Sequence, residues 1–65
     1  MAVKYRIRVG RPAPEDELQG QAFNEIGGVI AQAWGRDINA LRRAMVEAAL
    51  RDMADRRIEG IVVEG

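Results

Sequence analysis

Lys4, Arg6 and Arg8 alternate with Val3, Tyr5, Ile7 and Val9, and Arg11 follows just beyond Gly10, so the first twelve residues hold four cations and no anion. Cations at every second position suit one chemistry, attraction of an anionic surface, because an extended chain sends alternate side chains to opposite faces. Covalent chemistry has far less to work with. The 65 residues include no Cys, His, Ser or Thr, which removes thiolate, imidazole and every hydroxyl except the Tyr5 phenol as nucleophile, base or soft metal ligand. Carboxylates remain for a hard cation, but no D-x-D-x-D-G spacing or other cation loop appears. The residue types therefore predict a chain that is not an enzyme and carries no cofactor and no metal.

Length and charge set further bounds. With 48% apolar residues the chain is expected to form a single domain over residues 1–65, yet one of this size buries only about 60% of its unfolded surface. Association into a homodimer is expected to make up the deficit. No apolar run approaches the roughly 18 residues that span a bilayer, and the N-terminus lacks the seven or so apolar residues of a signal peptide. The expectation is a cytoplasmic chain with no membrane partner. The formal net charge is zero but segregated: residues 1–12 carry +4, residues 13–34 carry −4, residues 36–57 carry +2 and residues 58–65 carry −2.

Four elements are predicted to position the cations. Val3, Tyr5, Ile7 and Val9 give a strand with one dry face, ended by Gly10, Pro12 and Pro14. From Glu15 the spacing turns helical, with Glu15, Asp16 and Glu17 in the first turn, where the positive end of the helix dipole favours acids. Leu18, Ala22, Phe23, Ile26, Val29, Ile30, Ala33 and Trp34 then fall within an arc of about 160° at 100° per residue. This arc keeps its phase across Gly27 and Gly28, so one helix to Trp34 is expected, with a kink or break at the glycine pair as the alternative. Gly35 suits the residue after a helix, and Asp37 suits the cap of the next one. That second helix runs from Ile38 to about Arg56, with Ile38, Leu41, Met45 and Ala49 as its apolar stripe and Arg43, Glu47, Arg51 and Asp55 on its wet side. A short strand, Ile58 to Glu64, closes the chain. The predicted class is α+β, in the order β-α-α-β.

A basic strand, an acidic helix start, a Gly-Arg turn and a second helix together resemble the ribbon-helix-helix family of prokaryotic and phage DNA-binding proteins. The resemblance covers about residues 3–54 and is carried by "KYRIRV" (Lys4 to Val9), "PEDEL" (Pro14 to Leu18) and "WGRDINALRRAMVEAAL" (Trp34 to Leu50). It implies an intertwined homodimer in which two copies of the N-terminal strand pair as a ribbon that enters the major groove. Lys4, Arg6, Arg8 and Arg11 would then face DNA, with Arg36 and Asn39 near a phosphate. Such a protein would be a repressor, partition factor or antitoxin, and a two-stranded ribbon carrying Arg and Lys fits the groove and its guanine acceptors.

A second reading stays open beside it: a small βααβ protein-binding module, such as a phage-type inhibitor or assembly factor, presenting its basic sheet face to an acidic protein partner. Strand pairing discriminates the two. Lys4–Val9 pairs with its own copy in the first reading and with Ile58–Glu64 of the same chain in the second.

Overall fold

Tyr5, Ile7 and Val9 are buried while Arg6 and Arg8 between them are exposed, so the predicted two-residue alternation is the fold's organising row. The computed structural model describes residues 4–11, 17–53 and 60–64. Strand β1 is Tyr5–Gly10 and β2 is Leu18–Phe23. Then come β3, Val29–Gly35, helix α1, Ile38–Asp52, and β4, Ile61–Glu64. The sheet order is β3-β2-β1-β4, with β2 antiparallel to both of its neighbours and β4 parallel to β1. Helix α1, the one helix among the described residues, lies across one face, where Leu41, Met45, Ala49 and Met53 meet Tyr5, Ile7, Val9 and Ala22.

This β-β-β-α-β arrangement overturns the predicted β-α-α-β ribbon-helix-helix fold. The stretch read as the first helix is instead a hairpin, β2 and β3, around the turn Asn24–Gly28. Asn24 explains the reversal: its side-chain Oδ1 accepts from the Ile26 and Gly28 N–H groups at 3.1 and 2.7 Å, and its backbone N–H donates to the Gly28 carbonyl at 2.8 Å. Gly27 sits at φ +86°, a conformation that costs glycine little and a side-chain-bearing residue much. The glycine pair thus ends one strand and begins another. Nor does Gly35 end a helix; it is the last residue of β3. The acidic residues Glu15 and Asp16 and the stops Pro12 and Pro14 lie outside the described residues.

Under the helix the sheet is paved with small residues. Gly20 pairs with Ala33 and Ala22 with Ala31, all on the side that α1 covers. A Cβ on Gly20 would sit 3.2 Å from Met45 Cγ and 3.5 Å from Leu41 Cβ, so the missing side chain is what lets the helix approach. Between Ala22 and Phe23 the register slips, leaving Ile30 as an extra residue opposite β2. Ile30 packs against the core, and Val29 pairs with Phe23.

The second helix forms as predicted at its start and ends earlier than predicted, with its C-cap at Met53. Asp37, in extended conformation, accepts from the Asn39 and Ala40 N–H groups at 3.0 and 3.2 Å, satisfying two of the helix's free donors. The buried positions Leu41, Met45, Ala49 and Met53 recur every fourth residue, one stripe of the helix surface. Residues 54–59, including Asp55, Arg56 and the first two residues of the predicted final strand, lie outside the described residues.

Two stability outcomes follow from this packing. Met45→Ala is expected to destabilise the fold by about 2–5 kcal/mol, since it vacates the centre of the helix–sheet contact. Asp37→Ala is expected to cost about 1 kcal/mol through the lost cap. Both are read from denaturant midpoints, and equal effects from the two variants would contradict the layout.

Candidate functional site

Because α1 covers one face of the sheet, the other face collects every residue in phase with Arg6 and Arg8. Three cross-sheet rows can be traced through the strand registers. Arg6 stands beside Phe23 on one side and Val62 on the other; Arg8 stands between Gln21 and Glu64; Gly10 stands beside Gln19. The rows continue onto β3, where Gln32 flanks Gln21 and Trp34 flanks Gln19. The result is a surface with two guanidiniums on its central strand, three glutamines beside them, and Phe23, Val62 and Trp34 around them.

Local contacts hold Arg8 in place. The Arg8 guanidinium carbon lies 5.8 Å from the centroid of the Phe23 ring, within range of a cation–π attraction worth about 0.5–1 kcal/mol at an exposed site. Its Nη2 is 3.9 Å from Glu64 Oε1. An ion pair that open contributes less than about 1 kcal/mol, so it orients Arg8 without cancelling its attraction for another anion. Trp34 is 52% exposed, a large apolar area for a residue on the rim of a sheet.

The six residues predicted to form the site do not converge. Arg6 and Arg8 share the centre of the uncovered face. Lys4 is exposed just before β1, at the end of the sheet that carries the Asn24–Gly28 turn, whereas Arg11 is exposed just after β1, at the opposite end. Arg36 is exposed in the link between β3 and α1, and Asn39 is exposed in the first turn of α1, where Asp37 holds its backbone N–H. A ribbon of two β1 strands has no free edge to form on, since β2 and β4 already pair with both sides of β1.

Because Phe23 and Trp34 were placed on the apolar arc of a first helix, the sequence did not set them or the three glutamines beside the arginines. A signal was present in "LQGQAF" and "AQAW", where Gln19 and Gln21, and later Gln32 and Trp34, alternate with Gly20, Ala22, Ala31 and Ala33. Small residues made that alternation faint, since alanine and glycine add little to an apolar periodicity.

On the covered face, a long-range side-chain hydrogen bond ties β1 to the end of the helix: the Tyr5 hydroxyl donates to Asp52 Oδ2 at 2.6 Å. That bond, followed by burial and by the negative charges of Asp52 and Glu25, pushes the Tyr5 phenol from 10.0 up to about 12. Ionisation would remove the donor and set a phenolate against a carboxylate. Among the described residues no group of three Asp or Glu is placed to hold a metal ion, and no helix is long and apolar enough to cross a membrane.

Compared with known proteins, the chain matches no family model, no curated protein and no solved structure.

The Tyr5 shift gives a pH dependence with a definite sign. Its folded-state value lies above the unfolded one, so its contribution is complete below pH 10 and is lost as the pH rises from 10.0 towards about 12. Thermal melts across that range are expected to show a decline that Tyr5→Phe flattens; an identical decline in the variant would remove the hydrogen bond from the account.

Proposed function

We propose that the chain is a small non-catalytic binding module that docks an acidic protein surface against its uncovered sheet face. Arg6 and Arg8 supply the electrostatic complement, while Phe23, Trp34 and Val62 supply the apolar contact. The observation that carries this reading is the placement of the two arginines side by side on the central strand, with Arg8 held by Phe23 and Glu64, on the face that α1 leaves open. Interfaces between proteins are enriched in Trp, Phe and Arg over the rest of a surface, and this face holds all three.

Charge argues for a protein partner over a nucleic acid. The formal net charge is zero and the isoelectric point is about 6.2, whereas a nucleic-acid surface calls for a basic footprint that releases counterions from many phosphates. Two cations with an acid beside them suit a partner of modest negative charge. Such charges set the docking rate and the register, with the apolar contacts setting residence time.

The test uses the sole tryptophan as its probe. Peptides mixing glutamate with leucine, and separately a mixed-sequence DNA duplex, are titrated into the chain at low and moderate salt while Trp34 emission is followed. Saturable peptide binding is expected, weakened about tenfold, or roughly 1.4 kcal/mol, in the Arg6→Gln/Arg8→Gln double variant with its melting temperature unchanged. Absence of peptide binding, indifference to the double substitution, or tighter binding to the duplex with a steep salt dependence would each overturn the proposal.

A further inference from the structure

Strand β3 closes one side of the sheet, and among the described residues no strand pairs with its outer edge. A free edge presents a row of unpaired N–H and C=O groups that accept another strand, and proteins usually blunt it with charges, prolines or brevity. Strand β3 has none of these, and its one interruption is the register slip at Ile30, near its start. It is seven residues long, and the whole stretch from Ile26 to Gly35 contains neither a charged residue nor a proline. The stretch also holds the most exposed apolar residues described, with Ile26 87% exposed, Val29 54% and Trp34 at the same rim, against the less exposed Val62 and Val63 on β4. The opposite edge differs. Strand β4 has only four residues and ends on Glu64, which faces Arg8.

We infer that β3 is a self-association edge, and that its partner is β3 of a second copy of this chain, paired antiparallel about a two-fold axis beside Gln32. The absence of charge selects this occupant. A two-fold interface sets each residue against its own counterpart or that of a near neighbour, so any charged residue near the axis would meet its like. An uncharged strand is free of that conflict, whereas an acidic or basic partner would find nothing on β3 to complement it. Gln32 is the middle residue of β3, so an axis there pairs Ala31 to Ala33 of the two copies clear of the slip at Ile30. It brings two carboxamides together, each able to donate and accept, while Ala31 meets the partner's Ala33 without steric conflict.

The symmetry has a geometric result. Antiparallel pairing of one strand with its copy requires the axis to run perpendicular to the sheet, which leaves both helices on one side and both uncovered faces on the other. The two four-stranded sheets become one of eight strands. The Arg6–Arg8 pair of each copy then faces the same way, separated by five strand spacings, about 24 Å. The intertwined dimer expected from the sequence used β1; this one leaves β1 untouched and joins the copies side by side. It goes beyond the proposed docking function and does not depend on it.

Sedimentation velocity on the full chain over a wide concentration series tests the inference, with Trp34 emission and hydrogen exchange of the β3 amides followed on the same samples. The expected result is a species of twice the 7.2 kDa chain mass, with Trp34 emission shifting blue and β3 amides slowing in exchange as it forms. Gln32→Lys sets like charges across the axis and is expected to weaken association by about tenfold or more, with unchanged circular dichroism. A monomer at every concentration overturns the inference. So do a dimer with β3 exchange independent of concentration, a dimer indifferent to Gln32→Lys in a folded variant, and open-ended growth. Exchange on the unaltered chain decides the matter if the variant does not fold. Peptide titrations of the unaltered chain below and above its association range separate this inference from the docking proposal, since association without peptide binding overturns only the latter.

Discussion

The whole arrangement depends on β1 being flanked on both sides. A central strand has no spare backbone donors or acceptors, so its only freedom lies in which side chains face the helix. Tyr5, Ile7 and Val9 take that side, with Ile7 completely shielded from water. Arg6 and Arg8 consequently project from the opposite face as a pair. Burying three large apolar side chains, at roughly 1.5–3 kcal/mol each, far outweighs any preference of the arginines for another orientation. A slip of one residue would drive two guanidiniums under the helix, so the register of β1 and the position of its cations are a single fact.

The helix side of the sheet shows how α1 alone can cover it. Large residues lie on β1 and on the helix, and small ones on β2 and β3. The helix settles into the shallow trough above Gly20, Ala22, Ala31 and Ala33, and its Leu41–Met45–Ala49 stripe fills the space between. The glutamines that alternate with these small residues are carried to the open face. Close packing on one side and a polar, partly aromatic surface on the other thus have a common origin in the two-residue period of β2 and β3.

What could be read from the residues alone was uneven, for identifiable reasons. The dry and wet faces of β1 were legible because strongly apolar and strongly charged residues alternate without a break. The cap at Asp37 and the stripe of α1 were legible because each depends only on neighbours a turn away. The pairing of a C-terminal strand with β1 was recognised only as one of two alternatives, since strand order is set by contacts that no local pattern records. The first helix was misread because Leu18, Ala22, Phe23, Ile26, Val29, Ile30, Ala33 and Trp34 satisfy a helical arc as well as two strands joined by a turn. The slip at Ile30 helped to disguise β3 by breaking its alternation. Asn24 and Gly27, which decide the outcome, act through one side-chain acceptor and one backbone angle, and neither enters an apolar periodicity. The binding face suffered with the helix: Arg6 and Arg8 were found, but their aromatic and amide neighbours could not be placed beside them until the hairpin was known.

The parallel pairing of β4 with β1 bears on how the chain reaches its native state. Tyr5 lies beside Ile61 and Arg8 beside Glu64, so β4 closes the second flank of β1 from the edge of the sheet. The hairpin of β2 and β3 closes over five residues and forms early and locally, whereas the β4 contact must span nearly the entire chain and carries a larger loop-closure entropy. While the polypeptide is being synthesised, one flank of β1 stays open until β4 has left the ribosome. The nascent molecule is therefore most vulnerable to wrong partners on the strand that later becomes its best-protected one.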